Sequence, residues 1–478
     1  MKIPKEINLI LEKLEKSGHQ AYIVGGCVRD FLREVNPNDW DVTTNAKPKE
    51  IKKIFPKSFY ENKFGTVTVL TDSSDESLSE VEITTYRVEG RYIDKRHPDK
   101  VEFAENVEDD LARRDFTINA MAMNDEEIID PFDGQKDLEK KLIRAVGYAD
   151  DRFNEDALRM LRAVRFSCVL DFSIERKTYS AIEKNAKWID AISKERIRDE
   201  FVKIIDCDKA ADGVDLLQKL GLLKYIIPEL EKGVGVSQNR HHIYDIYEHS
   251  IRSLRAAAEK EFSLEVRMAA LLHDIGKPET KEGEGPDSTF YNHDIVGARF
   301  AEKILKRLKF SNKLIDKVVL LVKNHMFVSD PERLTEAGAR RLIKRAGKEN
   351  IPDLINLRIS DRLGMGRPKA RPYRLRKVEY LIDKVSQDPV SVGMLKISGD
   401  EVMNILGISP GPKVGAILDV LLSEVIEDPG KNKKRILKKR IKELDKENLS
   451  GLRKMAREKI REKKEEEDLK IKEKYWIK

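Results

Sequence analysis

Asp39 and Asp41 stand one residue apart, thirteen positions after the dipeptide Gly25-Gly26, and a further acidic residue, Glu82, lies in a later β-branched run. In an extended strand residues i and i+2 share a face, so such a pair presents carboxylate oxygens side by side. Oxygen ligands in that arrangement suit Mg²⁺. Two such ions, roughly 3.5–4 Å apart, clamp the attacking and leaving oxygens of a phosphoryl displacement, and nucleotide transfer is the chemistry these residue types support. A bare D-x-D pattern is weak by itself, because acidic pairs near turns are usually solvated surface.

The elements around the pair add weight. Tyr22-Ile23-Val24 reads as a short buried strand, Gly25-Gly26 as a sharp turn, and residues 28–34 as the helix that follows. Free backbone N–H groups at a helix start, with Arg29 in the first turn, favour a triphosphate. Residues 65–70 and 81–87 are β-branched runs separated by the polar stretch 71–80 and predict an antiparallel strand pair. Glu82 alternates with Val81 and Ile83, so it points away from their face. There it can complete a metal site with Asp39 and Asp41 or orient an attacking hydroxyl.

GGCVRD at 25–30, DWD at 39–41, GTVTV at 65–69, EITTYR at 82–87, RRDFTINAMA at 113–122, DPFDG at 130–134 and RFNEDALRMLRAVRF at 152–166 follow in order. Over roughly the first 240 residues this series resembles the class II tRNA nucleotidyltransferases and bacterial poly(A) polymerases. The resemblance implies a polymerase-β-like head, Mg²⁺ on Asp39 and Asp41, and Glu82 as the third carboxylate. It implies triphosphate contacts from Gly26 and Arg29, with Gly25 making the turn, and a nucleotide-ribose site from Arg113, Arg114, Asp115 and Asn119. Trp40 and Phe64 depart from the residues usual in that family. Residues 87–103 resemble the loop that full CCA-adding members keep, which favours complete CCA addition.

Arg159, Arg162 and Arg165 recur at helical spacing along nearly one face, with Asp156 a turn earlier on the same side. The resemblance implies that Asp156 and Arg159 bond the base edge of the incoming nucleotide, with Arg162 and Arg165 as further nucleotide-binding residues. Arg is a rigid fork of donors and Asp an acceptor, a combination that complements C or A. The run Lys194 to Glu200 is expected to support this face by ion pairs.

A second constellation comprises His249, His273-Asp274 within LLHDIGK, His293, His325 and Asp361. It resembles the HD phosphohydrolase superfamily. Histidine and carboxylate ligands suit a divalent transition metal, and His293 with His325 can hold a second ion. A metal-activated water there implies phosphatase or 2′,3′-cyclic phosphodiesterase activity on RNA ends.

The 478 residues suffice for three or four domains, and 37% of them are charged for a net charge of only +6. Residues 431–478 hold 20 Lys and Arg against 10 Asp and Glu, so the positive excess sits in the tail. A basic tail suits RNA phosphates, although such helices are often simple solvated extensions. Lys413, after the turn at 407–412, is a candidate phosphate contact or merely part of a helix connector. Cys27, Cys168 and Cys207 form no CxxC pattern and read as reduced cytoplasmic thiols. No run approaches a membrane span of ~20 apolar residues.

The expected fold class is α+β: a head of mixed sheet and helices at 1–145, then an all-α remainder. That remainder comprises a neck at 146–236, an HD domain at 237–372, a C-terminal tRNA-binding body at 373–440 and a charged tail at 441–478. The expected activity is CCA addition to tRNA from CTP and ATP. The alternatives are a poly(A) polymerase, an A-only or CC-only enzyme, or an HD phosphohydrolase whose head binds RNA.

Overall fold

The computed structural model describes residues 2–60, 65–89, 101–239, 243–327, 335–367, 369–386, 393 and 395–477. Phe64 and the greater part of the loop expected at 87–103 lie outside these residues. Near the N-terminus, helix Lys5–Lys16 buries Ile7, Ile10, Leu11 and Leu14, the i, i+3, i+4, i+7 stripe of an amphipathic helix.

Its apolar face meets a seven-stranded sheet. The order is Ser58–Tyr60, Thr66–Leu70, Glu80–Thr85, Asp41–Thr44, Ala21–Val24, Ala122–Met123 and Ile128–Ile129. Only Asp41–Thr44 and Glu80–Thr85 pair in parallel; the other neighbours are antiparallel. Ala21–Val24 is buried along its whole length. Ile23 joins a core with Ile7, Val42 and Ile83, whereas Tyr22 and Val24 join one with Tyr86 and Leu111. Alternating side chains thus fill both faces, which is why this strand reads as an unbroken apolar run.

The structure corrects two local expectations in the head. The helix after the glycine turn is Gly26–Leu32, earlier than residues 28–34, because the turn is completed at Gly25 and Glu34 has a positive φ of 59°. The stretch 71–80 contains a helical turn, Glu76–Ser79, capped by Asp75, whose carboxylate accepts from the Ser77 N–H at 2.9 Å.

Among the described residues beyond 145, helices dominate; the short strand Ser173–Ile174 pairs in parallel with Leu142–Ile143, and Glu282 and Thr289 form an isolated antiparallel bridge. Asp171, in the left-handed region at φ 59°, ends helix Leu158–Leu170 and returns the chain for this pairing.

Two compact units form: Met1–Lys323 with Asn356–Pro368, and Asn324–Ile355 with Lys369–Lys478. In the second, Leu452 and Ala456 of helix Leu449–Tyr475 share a core with Leu395, Val402, Ile417 and Leu437. Farther along that helix, Asp468 pairs with Lys384 at 2.8 Å and Lys474 with Asp383 at 2.7 Å. Among the described residues no helix is long and apolar enough to cross a membrane.

Candidate active site

The parallel pairing sets Asp41 directly opposite Glu82. Asp41 opens its strand, so Asp39 lies in the preceding bend and is exposed, not on the same strand as the spacing predicted. Trp40 between them is buried in the core and anchors the bend. Burial pushes Asp41 up to about 6; Asp39 and Glu82 add their repulsion while Arg114 opposes it. Asp39 and Glu82 thus lie near enough to Asp41 for their charges to oppose its own. Cys27, behind Asp41, is pushed up to about 12 by burial and then by the Asp41 charge, so it stays a thiol.

Gly25 makes the turn at φ 84°, and a Cβ there would come within 2.6 Å of Arg114 Nη1. The positive φ therefore favours glycine here, whereas the Arg114 tip is the end of a flexible side chain that can move aside. Arg29 donates to Asn119 Oδ1 at 2.8 Å and to both Asp30 oxygens at 2.9 and 2.7 Å. Arg113 Nη2 donates to Asp110 at 2.7 Å, and Arg114 Nη2 to the same carboxylate at 3.4 Å. Burial opposes the Asp110 charge, but the two arginines outweigh it and hold the carboxyl below its usual range. Sequence reasoning missed Asp110; its signal was the i, i+3 and i+4 spacing to Arg113 and Arg114.

Asp115 ties its own segment to helix Leu158–Leu170. It accepts from Arg162 Nε at 2.7 Å, the Phe116 N–H at 2.9 Å and Asn119 Nδ2 at 3.3 Å. Burial works against its charge, yet Arg162, Arg159 and these hydrogen bonds bring it down to about 2.

The neck face differs in one respect from a continuous helix. Helix Ala149–Glu155 ends at Asp156, and the next helix is Leu158–Leu170, so Asp156 occupies an extended junction. From there its carboxylate accepts the Leu158 N–H at 3.1 Å and both Arg196 Nη groups at 3.2 and 2.7 Å. Arg159 donates to Glu155 at 2.6 Å and to the Arg113 carbonyl at 2.7 Å. Arg165 donates to Glu200 at 3.0 Å. Arg196 and Glu200 thus supply the ion-pair support expected of 194–200. The arrangement also reveals Phe166, whose ring centroid lies 4.2, 5.2 and 5.4 Å from the guanidinium carbons of Arg165, Arg162 and Arg29. Its aromatic type in a run of arginines was the available signal.

A separate cluster is built on four helices. His249 lies on Ile246–Glu259, His273 and Asp274 follow Leu264–Leu272, His293 opens His293–Arg307, and Asp361 lies on Ile351–Gly364. His249 Nε2 is 3.1 Å from His273 Nε2, 3.2 Å from Asp361 Oδ1 and 3.4 Å from Asp274 Oδ2. His293 Nε2 is 3.5 Å from Asp274 Oδ1. The Nδ1 atoms of His273 and His293 face the carbonyls of Ala270 and Phe290 at 2.9 and 2.7 Å, which directs each Nε2 inward. His249, His273 and Asp274 form a buried group with spacing suited to a metal ion. Lys277 bridges Asp274 and Gln238, each at 2.6 Å. Burial opposes the Asp274 charge, but His273 and Lys277 hold the carboxyl well below its usual range. A Cβ at Gly276 would meet the His293 carbonyl at 2.4 Å, so the glycine of LLHDIGK admits the helix that carries His293. His325, one residue past helix Asn312–Asn324, is buried at the start of the second unit. Lys413 donates to Asp445 Oδ1 at 2.7 Å and to its carbonyl at 2.8 Å, so its charge ties two segments of the second unit together.

Comparison with known proteins agrees with this layout. Residues 21–144 match the poly A polymerase head domain, 171–233 the probable RNA and SrmB-binding site of polymerase A, and 246–366 the HD domain. A CCA-adding enzyme of Lactobacillus delbrueckii subsp. bulgaricus is 55% identical over 197 residues, 41% of this chain and 48% of that relative, about half its length. An A-adding tRNA nucleotidyltransferase of Deinococcus radiodurans is 34% identical over 84% of this chain and 90% of its own. A CCA-adding enzyme of Ligilactobacillus salivarius is 33% identical over 91% and 95%. The solved CCA-adding enzyme of Bacillus stearothermophilus in complex with CTP superposes with a TM-score of 0.58 at 28% identity, covering 93% of this chain and 98% of that one. The Thermotoga maritima CCA-adding enzyme complexed with tRNA shares the fold with a TM-score of 0.56 at 20% identity, covering 92% of this chain and 94% of that one. Matched along nine-tenths or more of the Deinococcus and Ligilactobacillus relatives, the chain belongs to the tRNA nucleotidyltransferase family of CCA-adding and A-adding enzymes.

Proposed function

We propose that this chain is a template-independent nucleotidyltransferase that adds C, C and A to tRNA 3′ ends from CTP and ATP and releases pyrophosphate. The observation that carries the reading is the strand register that sets Asp41 against Glu82, with Asp39 near enough to act on the same carboxyl. Asp39 and Asp41 would hold Mg²⁺, with Glu82 as the third carboxylate. When bound, Mg²⁺ supplies charge neutralisation and polarisation at the α-phosphate.

The remaining work falls to the chain's own side chains. Gly26 and Arg29 receive the triphosphate beside the turn made by Gly25, and Arg113, Arg114, Asp115 and Asn119 receive the ribose. Asp156 and Arg159 read the base edge, and Arg162 and Arg165 back them. Because Asp156 is bonded to Arg196 and Arg159 to Glu155, reading a base means exchanging those partners for base donors and acceptors. The RNA 3′ hydroxyl then attacks the α-phosphate, and catalysis is chiefly positioning. Head, neck, HD domain, body and tail at 1–145, 146–236, 237–372, 373–440 and 441–478 are the divisions we assign to these tasks, with body and neck as the RNA-binding parts.

The convergence of His249, His273, Asp274 and Asp361 supports a second activity, phosphate-ester hydrolysis at RNA ends with a transition metal. On the sequence pattern, His293 and His325 serve a second ion. One experiment tests the main reading: incubate tRNA transcripts ending before CCA, and an unrelated RNA, with CTP, ATP and Mg²⁺, then sequence the 3′ ends. CCA that stops on tRNA is the expected result. Runs of A on either RNA mean a poly(A) polymerase, and A added only after CC means an A-adding enzyme; either outcome overturns CCA addition.

A further inference from the structure

Phe166 is not among the side chains assigned above to phosphate, ribose or base, yet arginines from both ends of that assignment surround it. It lies on helix Leu158–Leu170 and is buried. The guanidinium carbon of Arg165 is 4.2 Å from its ring centroid, that of Arg162 5.2 Å and that of Arg29 5.4 Å. Phe116 meets it edge to face, with centroids 5.9 Å apart and ring planes at 84°.

These contacts come from separate segments. Arg29 lies on helix Gly26–Leu32 after the glycine turn, Phe116 follows the ribose candidates Arg113 to Asp115, and Arg162 and Arg165 share the helix of Phe166 itself. Charge alone drives the arginines apart. Burial and then Arg162 push the Arg165 guanidinium down to about 10, Glu200 opposes this, and Arg29 adds to it. Arg29 pairs with Asp30, Arg162 with Asp115 and Arg165 with Glu200, three carboxylates on three different segments. What the three guanidiniums share is the phenyl ring, whose negative face attracts cations and offsets part of their repulsion.

We propose, on the transferase reading given above, that Phe166 is a positioning residue: its ring holds Arg29, on the triphosphate side, at a set distance from Arg162 and Arg165, on the base side. A nucleotide gripped at both ends then presents its α-phosphate in one place. Arg29 also donates to Asn119 at 2.8 Å, so the triphosphate side keeps an attachment when the ring is altered. Alignment is what suffers, and alignment governs the rate of the bound complex more than its formation.

The test uses the full chain in Mg²⁺, with CTP on tRNA transcripts ending before CCA and ATP on transcripts ending in CC. Residue 166 is replaced by trifluoro- and pentafluorophenylalanine, which keep the ring's outline while weakening and then removing its negative face, and separately by Phe166→Leu. With pentafluorophenylalanine, kcat should fall roughly 10-fold or more while each KM moves by no more than about threefold, the pattern of lost alignment. The trifluoro form should fall between, with unfolding midpoints near that of the unaltered protein, and Phe166→Leu, which fills much of the space without a π face, should repeat the loss in kcat. A kcat indifferent to fluorination overturns the proposal, as does a loss confined to KM or one that follows the unfolding midpoint instead of the degree of fluorination. No incorporation by the unaltered protein removes the transferase reading and this role with it; normal incorporation that ignores the ring's charge removes this role alone.

Discussion

Glu82 sits directly across a parallel strand pair from Asp41, although the two are far apart in sequence and belong to different motifs. This one register brings the two carboxylates to one face, and a one-residue slip would turn Glu82 to the opposite face of the sheet.

Glu82→Gln keeps the shape and removes the charge. Nucleotide incorporation under single-turnover conditions should fall by roughly 10²-fold or more, the scale of losing one electrostatic contact made in the transition state. An unchanged rate would remove Glu82 from the site.

Gly25→Ala forces a side chain onto a φ of 84° and into Arg114. Stability should drop by about 1–3 kcal/mol, the usual cost of such a strained backbone position. Urea unfolding followed through buried Trp40 measures it; a shift within ordinary surface-substitution scatter would show that Arg114 and the turn yield readily.

Asp115 gives a pH-dependent prediction. Its folded value of about 2 lies below the unfolded carboxylate value of about 3.9, so its contribution is present above the latter and is lost as pH falls through the former. The gap corresponds to roughly 2–3 kcal/mol at neutral pH. Asp115→Asn should therefore destabilise clearly at pH 7 and progressively less between about pH 4 and pH 2. A penalty constant across that range would mean that Asp115 acts by shape and not by charge.

The histidine cluster predicts a metal stoichiometry. His249 lies within 3.4 Å of three other potential ligands, so His249→Ala should lose bound transition metal on dialysis that the unaltered protein retains. Elemental analysis reads this directly. Because ligand histidines must shed their protons, uptake should weaken as pH falls, and His273, raised by Asp274 against the effect of burial, sharpens that dependence. Equal metal content in both proteins would remove His249 from the site.

Much of the site was legible because its parts are local. The strand of Tyr22 to Val24, the turn at Gly25 and the LLHDIGK run each depend on residue types or a φ requirement within a few positions. Boundaries were less legible. The start of helix Gly26–Leu32 and the extended junction at Asp156 depend on hydrogen bonds to distant segments, such as Gly25 N–H to the Met121 carbonyl at 3.1 Å and Arg196 to Asp156.

Residue types and spacing by themselves determined which candidate groups the chain carries: carboxylates at Asp39, Asp41 and Glu82, imidazoles at His249, His273 and His293, and guanidinium groups at helical intervals. Only the tertiary structure decided which of these charges meet. It paired Arg162 with Asp115, Arg165 with Glu200 and Lys413 with Asp445. The physical reason is that side-chain character is a local property, whereas partner choice depends on how distant helices and strands pack and on which charges that packing removes from water.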